Sequence, residues 1–366
     1  MMKITRPTLV VDKDVCIRNI ERMAEKTKQY NLHFRPHFKT HQSAQIGDWF
    51  RVSGVDAITV SSVRMAEYFA AHGWNDITIA FSLNILELEN INRLAASINL
   101  NVLVENKEAA GILVQKAREK MGVFIKIDTG YHRTGVLSNQ TGLIDNILNE
   151  INENKKLSFK GFLSHTGHTY HARSTHEIFS FHFDALLKLK MLKTRYIKEY
   201  PQLKVSLGDT PSASICGNFD GIDELRPGNF VFYDLMQLHL GVCKIEDIAV
   251  RMVCPVVAKH ISRNEVVIYG GAVHFSKEFI PNTDGKPLFG RIIIRRGNDR
   301  ILLDTNNYLT RLSQEHGIIK VMQNHLKDFQ VGDLVEVLPV HSCLTANLMG
   351  QLLSSDGTVI KMMPKY

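Results

Sequence analysis

Between about residues 31 and 240 the chain alternates short apolar or β-branched runs with longer stretches of helical period. The runs fall near 32–38, 56–61, 77–82, 101–105, 122–128, 158–165, 204–208 and 222–226. Parallel strands need a crossover connection, and a helix is the usual one, so this repeat leaves two architectures. Eight units favour a closed (β/α)8 TIM barrel over a doubly wound open sheet. One connecting stretch, 175–199, carries Ser174 and Glu177 as a capping box, with Ile178, Phe181, Ala185, Leu189, Leu192 and Tyr196 on one face.

After about residue 241 the texture changes. Segments 249–259, 265–271, 290–296, 300–304, 333–339 and 357–362 read as strands, separated by turns such as Asn282-Thr283-Asp284-Gly285, Gly297-Asn298-Asp299 and Ser355-Asp356-Gly357. The expected organisation is therefore a barrel over 8–240 and a C-terminal, mostly-β domain over 241–366, joined by residues 1–7. The composition is that of an ordinary globular protein, 44% hydrophobic and 22% charged. No apolar run is long enough to span a bilayer and Met1-Met2-Lys3-Ile4-Thr5 leads into no secretory segment, so a cytoplasmic protein without a membrane partner is expected. Five scattered cysteines make no CxxC pair and no disulfide framework. The net charge of +7 comes largely from basic residues on amphipathic faces, which argues against nucleic acid as a partner.

In a (β/α)8 barrel the active site gathers at the C-terminal ends of the strands. There the first run ends at Lys39, within Arg35-Pro36-His37-Phe38-Lys39-Thr40-His41. Most lysines are solvated charges. One that attacks an aldehyde needs burial or cationic neighbours to release its proton, and Arg35, His37 and His41 are the candidates. The fifth run ends in Asp128-Thr129-Gly130-Tyr131-His132-Arg133, the sixth in His165-Thr166-Gly167-His168-Thr169-Tyr170. The seventh ends in Gly208-Asp209-Thr210-Pro211-Ser212 and the eighth in Arg226-Pro227-Gly228-Asn229. The last two loops are where barrel enzymes often seat a phosphate, with glycine backbone and hydroxyls facing the anion.

A lysine after strand one, an imidazole after strand six and a phosphate seat after strands seven and eight suit pyridoxal 5'-phosphate. In that reading Lys39 is the catalytic residue and holds the aldehyde. His165 lies against the pyridine ring, Arg133 donates to the phenolic oxygen, and Tyr170 approaches the ring nitrogen. Gly208, Thr210, Ser212, Gly228 and Asn229 form the seat. Near the C-terminus, Pro339-Val340-His341-Ser342-Cys343 places His341 and Cys343 two apart, on the same side of an extended chain, as a pair of zinc ligands.

Together these segments, with Leu225-Arg226-Pro227-Gly228-Asn229-Phe230 and Leu312-Ser313-Gln314-Glu315-His316-Gly317, resemble the D-serine dehydratase and D-threonine aldolase group of fold-type III pyridoxal phosphate enzymes, relatives of the alanine racemases. The resemblance implies an alanine-racemase-type barrel, a C-terminal β domain and a homodimer. It implies a Schiff base on Lys39 and a metal at His341 and Cys343. A cysteine at 343, where aldolases more often carry aspartate, implies β-elimination of water from a D-3-hydroxy amino acid such as D-serine. Aldol cleavage to glycine and an aldehyde is the alternative, and racemisation another. A metal-dependent barrel hydrolase, using His165, His168 and His171 with His37 and His41, is disfavoured, because such barrels want a second histidine where Lys39 stands.

Overall fold

The structure, a computed structural model, describes residues 4–297 and 299–365. Met1–Lys3, Asn298 and Tyr366, all assigned by the sequence reading to the second domain, lie outside them. Two compact units emerge. One comprises 20–39 and 47–228; the other comprises the described residues of 4–19, 40–46 and 229–365.

In the first unit every expected strand is found in place: β1 (His33–Phe34), β2 (Ile58–Val60), β3 (Asp76–Ser82), β4 (Asn99–Val104), β5 (Met121–Asp128), β6 (Leu157–Ser164), β7 (Lys204–Leu207) and β8 (Glu224–Leu225). They pair in parallel, each with its chain neighbour, and β8 pairs with β1. A bridge between His37 and Thr59 joins β1 to β2 and closes the barrel. The open-sheet alternative is thereby removed. Residues two apart on each strand share a face. Ile125 and Ile127 are fully covered on the outer side of β5, while Phe124 packs inside with Leu103 and Leu163.

The helix expected over 175–199 runs Thr175–Tyr196. Ser174 accepts from the Glu177 amide as a cap, whereas the Glu177 carboxylate accepts from the Arg173 amide, one residue before the position of a strict capping box. Ile178, Ala185, Leu189, Leu192 and Tyr196 are buried, as the periodicity demands, whereas Phe181 on the same face is only half-buried.

The second unit is built on an antiparallel sheet in which Glu265–Tyr269, His316–Lys320, Tyr308–Leu312, Gly290–Arg296, Leu334–Pro339 and Val250–His260 follow in order, the last pairing back with the first. Thr8–Val11 then adds antiparallel to Val250–His260 and parallel to Gln351–Ser354. Tyr308–Leu312, His316–Lys320 and Gln351–Ser354 were not read from the sequence as strands. No described helix is long and apolar enough to cross a membrane.

Candidate active site

Two layers of charge line the barrel interior. The lower is built from β1, β7 and β8, where parallel register sets His33 and Ser206 beside Glu224. Glu224 is 1% exposed. Its carboxylate accepts from Arg35 Nε at 2.6 Å and Ser206 Oγ at 2.5 Å, with His33 Nδ1 at 3.2 Å. Arg35 also bonds Asp76, and Arg226 donates through Nε to Ser206 Oγ at 2.6 Å and through a terminal nitrogen to the Ser164 carbonyl. Burial alone would raise the Glu224 carboxyl. Arg35, His33 and Ser206 overcome that and hold it down at about 2. Every charge here has a partner.

The upper layer lies at the C-terminal ends of the strands. Lys39 follows β1 and is exposed, its amide donating to His37 Nδ1 at 3.3 Å. Burial and the cations Lys39, Arg226 and Lys126 drive His37 well below the ordinary histidine range. His165 follows β6 and is held neutral by burial and by Lys39 and Lys126. A neutral ring has one N–H, and His165 Nδ1 donates it to the Gly208 carbonyl at 2.5 Å. Tyr131 packs edge-on to His165, ring centres 5.9 Å apart, and carries the Arg133 guanidinium 5.0 Å from its own ring centre. Arg133 is not tied to Asp128, whose carboxylate accepts from the Gly130 and His132 amides and meets the His132 ring.

The loops after β7 and β8, where a phosphate seat is expected, are closely packed. A Cβ on Gly208 would come within 2.8 Å of the Arg226 backbone, so this glycine is needed for strand approach as well as for any anion. Asp209 accepts from the Ser212 amide at 2.7 Å and from the Thr166 and Thr169 hydroxyls, which fixes the turn. The Ser212 hydroxyl is buried and has no partner among the described residues. The Tyr170 hydroxyl accepts from the Thr210 amide at 3.3 Å. Gly228 is buried and closes this unit. Asn229 begins the other, and its side-chain nitrogen donates to Asp234 at 2.7 Å and to Ser342 Oγ at 3.1 Å.

Two expectations are corrected here. Arg35 does not serve Lys39, because it is spent on Glu224 and Asp76. Nor are His341 and Cys343 on an extended chain: Ser342–Met349 is a helix, with His341 as its N-cap and Cys343 in its first turn. The reason is tertiary. The Asp234 carboxylate accepts from both the Ser342 amide, at 2.9 Å, and its hydroxyl, at 3.1 Å, supplying the helix start with an acceptor from 108 residues away. The pair nonetheless stays together. Burial disfavours the His341 cation, but Cys343, Asp234 and Glu278 outweigh it and push the imidazole up to about 9. The His341 Nδ1 is buried without a hydrogen-bond partner among the described residues, while Cys343 Sγ lies 3.3 Å from Thr40 Oγ1.

Sequence reasoning missed three residues of consequence: Asp234, Glu224 and Lys126. Lys126 sits inside the apolar strand Phe124-Ile125-Lys126-Ile127-Asp128, on the same face as Asp128, and is 6% exposed. A lysine in the middle of a buried strand was the signal.

Residues 11–235 match the family profile described as "Alanine racemase, N-terminal domain", and residues 249–354 match one described as "Putative serine dehydratase domain". A D-serine dehydratase from Dictyostelium discoideum is 28% identical, covering 98% of this chain and 95% of that protein. The solved D-threo-3-hydroxyaspartate dehydratase from Delftia sp. HT23 superposes with a TM-score of 0.91 at 27% identity, covering 100% of this chain and 99% of that one. An alanine racemase from Clostridium difficile 630, at 11% identity and a TM-score of 0.69, shares the fold. Barrel, rim and matches define the class, a pyridoxal phosphate-dependent lyase on an alanine-racemase-type barrel. The chain belongs to the alanine racemase N-terminal domain family.

Proposed function

We propose that this protein is a pyridoxal phosphate- and zinc-dependent dehydratase that eliminates water from a D-3-hydroxy amino acid, D-serine foremost, to give a 2-oxo acid and ammonia, and that it works as a homodimer. The observation that carries the dehydratase reading is the pair His341 and Cys343, a buried imidazole nitrogen without a partner beside a sulfur, a donor set suited to zinc. A form of a solved D-threo-3-hydroxyaspartate dehydratase with a cysteine replaced by alanine is described as metal-free, and another form of that enzyme replaces a histidine two positions before that cysteine. The same spacing separates His341 and Cys343.

The cofactor suits the barrel rim on its own terms. Arg226 adds positive charge beside His37 and Arg133 adds it beside His165, and the Ser212 hydroxyl is an orphaned buried donor. Lys39 would hold the aldehyde; Gly208, Thr210, Ser212 and Gly228 would hold the phosphate. When bound, the cofactor supplies an electron sink for the pair of electrons left when the α-proton departs. Lys39, released by the incoming amine, would carry that proton at Nζ. Neutral His165, its Nδ1 committed to the Gly208 carbonyl, presents an uncharged ring that does not compete for the proton. His341 and Cys343 would hold zinc, whose chemistry is to make the 3-hydroxyl a better leaving group.

The test is a product assay on purified protein given D-serine, D-threonine and D-threo-3-hydroxyaspartate, with and without a zinc chelator. A 2-oxo acid and ammonia are expected, both lost with the chelator and in Cys343→Ala. Glycine and an aldehyde would replace this reading with the aldolase one.

A further inference from the structure

We propose that Lys126 binds the α-carboxylate of the substrate amino acid, an assignment that rests on the lyase reading above. Lys126 lies on β5 two residues before Asp128, on the face that lines the barrel, just below the rim in the upper layer. Gly135, at φ +112°, folds back over its stem, and a Cβ there would come within 3.1 Å of Lys126 Cγ. No hydrogen bond or ion pair of Lys126 is found among the described residues, although it is 6% exposed. A stem so enclosed leaves its ammonium little solvent, which is costly unless an anion arrives.

The charges around it say which anion is missing. Arg226 approaches from beyond β8, Arg133 from the loop after β5, and His37 and His165 from beyond β1 and β6, with Lys39 acting on both histidines. The acids facing it are Glu105 and Asp128, and Asp128 is already engaged by two amides and His132. The phosphate seat lies in the loops after β7 and β8, and Arg133 stands exposed on Tyr131, open to a phenolic oxygen. What remains is an unpaired amine in a cationic layer, and the one anionic group that every amino acid substrate brings is its α-carboxylate. An ammonium–carboxylate hydrogen bond is among the stronger kinds available. Burial, Arg226 and Arg133 together lower Lys126 to about 7, so a bound carboxylate would also draw a proton onto it above that pH.

The experiment compares wild type with Lys126→Met, both loaded with pyridoxal phosphate, by absorbance titration with D-alanine, which carries the carboxylate but no 3-hydroxyl to lose. Lys126→Met should weaken D-alanine binding about 10- to 100-fold. It should leave the affinity for D-alanine amide, which lacks the carboxylate charge, and the ligand-free visible absorption unchanged. In wild type the D-alanine dissociation constant should rise more steeply above about pH 7 than in the variant. Unchanged D-alanine affinity, or an equal loss with the amide, would overturn the assignment. So would an altered ligand-free absorption, which would put Lys126 on the cofactor. A melting curve shows whether the variant is folded, and Lys126→Met should melt no lower than wild type because it removes an unpaired amine on a buried stem. Protein that takes up no pyridoxal phosphate refutes the lyase reading itself, a separate outcome.

Discussion

The two layers of the barrel interior are made from the same kind of residue and behave in opposite ways. In the lower layer Arg35, His33 and Ser206 converge on the Glu224 carboxylate, and Arg226 joins them through the Ser206 hydroxyl. One layer up, Lys126, His37 and His165 share a space in which positive charge exceeds negative. Burial costs both layers. The lower repays it internally and so belongs to stability, whereas the upper leaves it outstanding and so is shaped for something that binds.

The largest effect should come from the rim. Lys39→Ala is expected to abolish turnover and the visible absorption of lysine-bound cofactor, while changing unfolding free energy by less than about 0.5 kcal/mol, since Lys39 is exposed. Retained turnover would break the contrast at once. Next comes Glu224→Ala, which strands Arg35 and His33. A loss of about 3–5 kcal/mol is expected in urea unfolding, with the spectrum of whatever protein remains folded intact. The third prediction separates the layers by pH. Glu224 is held at about 2 when folded, below its unfolded value, so its contribution is full above the unfolded range and is lost as pH falls toward 2. Lys126 is held at about 7 when folded, also below its unfolded value. Its penalty is therefore full below about 7 and fades as pH rises toward the ordinary lysine range. Cofactor-free wild type should gain stability relative to Lys126→Met across that alkaline window, by an amount on the order of a few kcal/mol at most. Equal pH profiles would show that Lys126 finds a partner in solution.

Much of this was legible before any coordinates. The eight barrel strands could be read because each is a compact apolar run between helical stretches, and their order put Lys39, Arg133, His165 and the Gly208 loop at one end. The helix Ser342–Met349 was not legible, because Pro339-Val340-His341 reads as extended and the acceptor that starts the helix, Asp234, is remote in sequence. The strands Tyr308–Leu312 and His316–Lys320 were hidden for a similar reason: their partners lie across the sheet, and alternation in five residues is weak evidence. The fate of Arg35 needed the register of β1 against β8, since nothing local distinguishes a cation aimed at Lys39 from one aimed at Glu224. Lys126 was visible but overlooked, masked by the hydrophobic residues on either side of it.

The close fit of Gly208 against Arg226 has a kinetic side. With no room for a Cβ, the β7 loop can shift only if the Arg226 backbone shifts too, and Arg226 is anchored to Ser206 and the Ser164 carbonyl. The loop and the ion-paired layer beneath it are therefore mechanically one piece. A ligand seated there would leave slowly, at the rate at which that whole corner of the barrel breathes, and long residence rather than tight contact would be its signature.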